Sequence, residues 1–172
     1  MHVQTLARYN RWMNRKVYEC CAGLPDEARK RDMGAFFRSI HGTLNHLLLA
    51  DRVWMGRFTG APFRVESLDQ ELYADFSVLR NMREAEDGRI IEWVAALSPR
   101  DMDGELAYTS LVNPESRRYP LWLAVSHFFN HQTHHRGQVT TLLSQLGVDV
   151  GITDLIWLPE TGTAFGDERN DP

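Results

Sequence analysis

The chain has 172 residues, of which 43% are hydrophobic and 24% charged, as is typical of one soluble globular domain. A formal net charge of -4, without a long basic run, argues against nucleic-acid binding. The apolar runs are too short to cross a membrane, and the first residues lack a signal-peptide pattern, so we expect a cytoplasmic protein. Cys20 and Cys21 are adjacent and are interpreted as reduced thiols.

Four stretches of the chain carry the periodicity of amphipathic helices. The predicted helices cover about residues 3–21, 39–58, 67–97 and 120–146. The third is expected to begin at the Ser-Leu-Asp-Gln sequence of residues 67–70, which resembles a capping box. Pro120 is placed at the start of the fourth helix, and Gly147 at its end.

The connection between the third and fourth helices contains a turn at Asn113-Pro114, flanked by residues that can alternate as short strands. The predicted fold is therefore all-α, a four-helix bundle with a small β-hairpin in the long connection before the fourth helix. Residues 1–160 are expected to form this single domain. The mostly polar residues 161–172 are expected to form a flexible C-terminal tail.

The predicted fourth helix contains the sequence S-H-F-F-N-H-Q-T-H-H-R-G-Q. His131 and His135 are four residues apart, so both rings lie on one face of a helix and can bind the same divalent metal. His134 points to another side of the helix, and His127 is at most a supporting residue one turn away. Surface or hydrogen-bonded core histidines are the alternative explanation of this pattern.

His46 is the candidate for a third metal ligand, because it lies in the apolar stripe of the predicted second helix. A hydrogen-bonded core histidine is the alternative. Asp51 and Glu160 are available as general bases, but no spacing argument ties either residue to the site. Arg136 is a candidate for holding a carboxylate, with surface ion pairing as the alternative. Trp54 is interpreted as a core residue rather than a pocket wall.

Three segments of the chain resemble the DinB/YfiT-like family of metal-dependent enzymes. They are R-Y-N-R-W-M-N in the first helix, G-T-L-N-H-L-L-L-A-D-R-V-W in the second, and F-N-H-Q-T-H-H-R-G-Q-V in the fourth. The resemblance covers about residues 3–158. It implies a four-helix bundle, often a homodimer, in which His46, His131 and His135 bind a divalent metal.

Three histidines without an obvious fourth protein ligand leave one coordination position open, as in catalytic zinc sites. Zinc and nickel are the preferred metals, although imidazole also suits iron and copper. We expect a metal-dependent hydrolase or a thiol-dependent transferase acting on a small molecule, with a low-molecular-weight thiol as a candidate partner. A non-catalytic metal-binding stress or interaction module is the first alternative. A histidine-rich structural bundle is the second.

Overall fold

The computed structural model describes residues 2–109 and 115–159. The described helices and strands are α1 (His2–Ala22), α2 (Asp26–Lys30), α3 (Ile40–Thr59), α4 (Phe76–Ala96), α5 (Pro99–Met102), β1 (Glu105–Thr109), β2 (Ser116–Pro120) and α6 (Leu121–Gln145). A short 3-10 turn follows at Leu155–Trp157. The tail predicted for residues 161–172 and the candidate base Glu160 lie outside the described residues. Within the described ranges, no helix is long and apolar enough to cross a membrane.

The four long helices form a bundle, which confirms the predicted all-α fold class. Helix α1 packs against α4 and α6, and α3 packs against the same two helices. The predicted hairpin is also present, with β1 and β2 antiparallel and Leu106 opposite Tyr119. The hairpin contacts both α3 and α6, so it lies beside the interface between these two helices.

The third long helix begins later than the sequence pattern predicted. Helix α4 starts at Phe76, where the Asp75 side chain accepts a hydrogen bond from the Val78 backbone N–H. Residues 67–75 instead form a connection without a helix. Side chains of α3 bind the backbone of this connection. Asn45 accepts hydrogen bonds from the backbone N–H groups of Leu72 and Tyr73, each at 2.9 Å. These bonds replace the helical hydrogen bonds that the capping-box pattern predicted.

The interior of the bundle contains two apolar clusters with polar side chains between them along every long helix. The first cluster includes Met13, Leu44, Leu48, Leu79, Val139 and Leu143. The second includes Ala7, Met55, Ile90, Val94, Val125 and Phe128. The buried polar layer between them consists of Asn10, Asn14, Asp51, Arg83, Asp87, Gln132 and Arg136. Because buried charges are costly unless paired, this layer is expected to be tightly connected.

Arg83 is the centre of the buried polar layer. Its side chain is 2% exposed and contacts Asp51 at 2.5 Å and Asp87 at 3.0 Å. The amide of Asn14 donates a further hydrogen bond of 2.8 Å to Asp87. The layer thus joins α1, α3 and α4 through connected polar contacts inside the bundle.

Candidate metal centre

Three histidines from two helices meet at the interface of α3 and α6. His46 comes from α3, and His131 and His135 come from successive turns of α6. One ring nitrogen of each histidine lies within 4.8 Å of the corresponding nitrogens of the other two. His46 and His135 are buried and His131 is half-buried. The structure therefore brings together the three residues that the sequence proposed as ligands.

Hydrogen bonds hold two of the three rings in the orientation that a metal site requires. The Nδ1 atom of His46 lies 2.8 Å from the Leu68 carbonyl oxygen, and Nδ1 of His135 lies 2.7 Å from Oε1 of Gln138. Both oxygens only accept hydrogen bonds, so each Nδ1 carries the proton. The Nε2 lone pairs of His46 and His135 are consequently free, and both point toward His131.

Two of the three separations between the ring nitrogens match those of a tetrahedral metal site. The Nε2 atom of His131 lies 3.4 Å from Nε2 of His46 and 3.1 Å from Nε2 of His135. Metal–nitrogen bonds of about 2.0–2.1 Å at tetrahedral angles place two ligand nitrogens about 3.3 Å apart. Two unprotonated nitrogens at this distance repel each other unless a proton or a cation lies between them. The three histidines can therefore hold a metal ion.

The protein environment keeps these imidazoles neutral. Burial lowers the pKa of His46 to about 4, although the hydrogen bond to Leu68 acts in the opposite direction. Burial and the neighbouring histidines lower the pKa of His131 to about 3. Burial also lowers the pKa of His135. Because a metal binds only unprotonated imidazole, the site is ready for a metal at neutral pH without first losing protons.

A loop before α3 covers one side of the histidine cluster. The ring of Phe37 stacks on His46 with the ring centroids 3.8 Å apart, and it contacts His135 edge-on at 5.5 Å. Gly42 permits this arrangement, because a Cβ atom at that position would overlap with the Phe37 carbonyl oxygen. Ser39 caps the helix by accepting a 3.0 Å hydrogen bond from the Gly42 backbone N–H. The same turn thus starts α3 and positions the aromatic cover.

Comparison with known proteins identifies the family and supports this fold. The chain matches the DinB family over residues 1–169. It belongs to the DinB family. It is 27% identical to protein DinB of Bacillus subtilis strain 168 over 154 residues, which are 87% of this chain and 88% of that protein. The crystal structure of a DinB-like protein from Bacillus cereus ATCC 10987 superposes with a TM-score of 0.60 at 20% identity. That match covers 80% of this chain and 88% of the other, and it shows a shared fold.

Three other histidines of this DinB family chain, His41, His127 and His134, lie outside the cluster. His134 is exposed, and its ring centroid lies 4.9 Å from that of His135. The ring centroid of His127 lies 6.0 Å from that of His131 and 5.0 Å from that of Trp54. His41 is buried at the start of α3, where its Nε2 atom lies 2.9 Å from the Tyr73 carbonyl oxygen.

Asp51 and Arg136 have structural roles that differ from the functional options raised by the sequence. Asp51 is bound to Arg83 within the buried polar layer, so it is not free to act as a base beside the three histidines. Burial raises the pKa of Asp51 to about 7, while Arg83 acts in the opposite direction. Arg136 is 3% exposed and donates a hydrogen bond to Oδ1 of Asn10, so it is neither a surface residue nor a ligand-binding group.

The sequence argument missed the residues that orient and cover the cluster. Gln138 lies three residues after His135 on α6, a spacing that places the two side chains on one face, so this contact was accessible from the pattern. The roles of Leu68 and Phe37 depend on how two loops return to α3. No local pattern predicts such a return.

Proposed function

We propose that this DinB family protein binds a divalent metal, preferably zinc or nickel, and acts as a hydrolase or thiol-dependent transferase on a small molecule. The observation that supports this proposal is the convergence of one ring nitrogen from each of three neutral histidines, all within 4.8 Å of one another. Two Nδ1–H groups that donate to fixed oxygens pre-orient His46 and His135. Such outer hydrogen bonds are typical of metal-binding histidines.

The chain contributes three neutral ligands, which leave a fourth position for a substrate or solvent molecule. A bound divalent ion supplies Lewis acidity, which polarises a substrate oxygen or stabilises a thiolate. Phe37 shields one side of the ligand set from water. His127 lies beside the set on the exposed surface of α6, with its ring centroid 6.0 Å from that of His131.

Metal analysis tests the binding part of the proposal. The purified protein is stripped with a chelator, reconstituted with zinc or nickel and desalted. We expect one metal ion per chain, and a rise in unfolding free energy of about 2.7 kcal/mol at a free metal concentration one hundred times the dissociation constant. His131→Ala is expected to abolish both effects. His134→Ala, three residues later on the same helix, is the matched control and keeps them. A reconstituted wild-type protein without bound metal would contradict the proposal.

Turnover assays test the catalytic part separately. The metal-loaded protein is incubated with activated esters and with electrophiles in the presence of low-molecular-weight thiols. The expected result is metal-dependent product formation that His131→Ala removes and His134→Ala retains. If the protein binds metal tightly but turns over none of these substrates, the alternative of a non-catalytic metal-binding stress or interaction module replaces the enzyme proposal.

A further inference from the structure

An aromatic cavity lies beside the candidate metal centre, at the junction of α3, the hairpin and α6. It has a volume of about 300 Å³ and is lined by Trp54, Tyr108, Tyr119, Leu123, Ala124 and His127. Trp54 packs against the second apolar cluster, in line with the core assignment from the sequence, and it also forms a wall of this cavity. A volume at the lower end of the range for ligand pockets suits a molecule with one ring.

Arg57 lies against two walls of the cavity, although its side chain is not part of the lining, and it places a positive charge at the cavity's edge. The guanidinium carbon of Arg57 lies 4.5 Å from the Trp54 ring centroid and 4.1 Å from that of Tyr108. Within the part of the chain that the structure describes, Arg57 forms no ion pair with a carboxylate. Partial burial lowers its pKa.

The position of Arg57 decides which charge a ligand of this cavity carries. Aromatic walls alone can attract a cation. Here Arg57 already lies against the rings of Trp54 and Tyr108, so a second cation would be repelled. A planar apolar group is stabilised by packing against the aromatic rings, and a carboxylate matches the hydrogen-bonding geometry of the guanidinium group.

We propose that this cavity binds a small carboxylate with a planar apolar group, which packs against Trp54 and Tyr119 while the carboxylate extends to Arg57 at the cavity's edge. The neighbouring His127 ring lies 6.0 Å from His131, so such a ligand sits one side chain from the candidate metal centre. As a statement about substrate class, this inference rests on the proposed function. As a statement about binding, it does not require the metal.

Calorimetric titration of the metal-free protein with phenylacetate tests the cavity. Benzyl alcohol is the neutral probe, and benzylamine is the cationic one. We expect phenylacetate to bind in a 1:1 ratio and more tightly than either. Arg57→Met is expected to weaken phenylacetate binding about ten-fold or more, as loss of a charged hydrogen-bonding partner implies, with little effect on benzyl alcohol. Arg118→Met is the control, because Arg118 lies on the hairpin, 70% exposed and paired with Glu105.

A cavity-filling variant locates the binding site. Leu123 lines the cavity and is 41% exposed, so Leu123→Trp fills the space with little effect on folding, which circular dichroism checks. We expect it to abolish phenylacetate binding. Equal affinity for phenylacetate and benzyl alcohol, tighter binding of benzylamine, or unchanged binding by either Arg57→Met or Leu123→Trp would overturn the inference.

Failure of the metal proposal and failure of the cavity inference would give different experimental results. His135→Ala removes a candidate metal ligand that does not line the cavity, and it is expected to leave the affinity for phenylacetate within about three-fold of wild type. If the wild type binds phenylacetate through Arg57 but retains no metal, the proposed function fails and the binding site stands. If it retains metal but does not bind phenylacetate, the cavity inference fails and the metal proposal stands.

Discussion

The change in zinc affinity between about pH 7.5 and about pH 5.5 distinguishes a preformed histidine site from a flexible one. Below the ordinary histidine pKa, protons compete with a metal for free imidazoles. In the folded protein, burial lowers the pKa of His46 to about 4 and that of His131 to about 3. Burial also lowers the pKa of His135. Zinc should therefore meet little competition from protons over this pH interval.

The expected magnitude follows from the number of protons displaced. Three flexible histidines with a pKa of about 6.5 would lose about a thousand-fold in apparent zinc affinity between pH 7.5 and 5.5. In this protein, two of the three ligands stay unprotonated throughout the interval. We expect an affinity loss of less than about ten-fold, which leaves room for partial protonation of His135.

The same pKa shifts make the metal-free protein less stable in acid. Between about pH 6.5 and the lowered pKa values, the unfolded chain binds protons at His46 and His131 that the folded chain does not. Stability therefore rises with pH in this window and is lost as the pH falls. His46 contributes about 1 kcal/mol between pH 7.5 and 5.5, and half-buried His131 contributes less because solvent screens it. Asp51 has a raised pKa, so its contribution to the unfolding free energy increases as the pH falls, opposite to that of the histidines.

The assay has two parts. Zinc affinity is measured at both pH values by competition with a chelator whose own pH dependence is known. Urea unfolding of the metal-free protein is compared with that of His46→Gln, so that the contribution of Asp51 cancels. The variant should lose about 1 kcal/mol of the pH-dependent stability, and His134→Gln is the control. A hundred-fold or greater fall in zinc affinity, or identical pH dependence in wild type and His46→Gln, would refute the reasoning.

Three further predictions address the parts that support the site. Arg83→Met leaves two buried carboxylates without their cation and should cost about 3–5 kcal/mol in urea unfolding; a cost below 1 kcal/mol would contradict the pairing described here. Gly42→Ala forces Cβ against the Phe37 carbonyl and should cost about 1–3 kcal/mol in thermal unfolding, whereas Gly137→Ala, where the added Cβ meets open space, should not destabilise. Gln138→Leu removes the acceptor for His135 and should weaken zinc binding about ten-fold or more in chelator competition, with an unchanged circular dichroism spectrum; unaltered affinity would show that the hydrogen bond has no part in ligation.

Periodicity predicted the four long helices because each buries an apolar stripe, and it failed where tertiary contacts replace local hydrogen bonds. The capping-box pattern at Ser67 gives no helix, since Asn45 of α3 binds the backbone of the following segment instead. Asp75 provides the cap for α4. A pattern of neighbouring residues carries no information about a partner more than twenty positions away.

The candidate ligands could be predicted from the sequence because helical periodicity determines which residues share a face. His131 and His135 share a helix face by spacing, and His46 lies in an apolar stripe that must face the bundle interior. The aromatic cavity was not accessible, because its walls come from α3, the hairpin and α6. Trp54 looked like a core residue along its own helix, and only the position of the hairpin shows that it borders open space.

Three side chains of α3 hold the connection between α3 and α4 through its main chain. His46 contacts the Leu68 carbonyl oxygen, Asn45 binds Leu72 and Tyr73, and His41 contacts the Tyr73 carbonyl oxygen. Every L-residue other than proline offers the same carbonyl and N–H groups. Leu72 and Tyr73 are exceptions, because both pack against the first apolar cluster and the Tyr73 hydroxyl accepts a 3.0 Å hydrogen bond from Arg52. Other residues of this connection can be exchanged during evolution or engineering without detaching the segment. A library of substitutions here can change the surroundings of the histidine cluster while the rings keep their orientation.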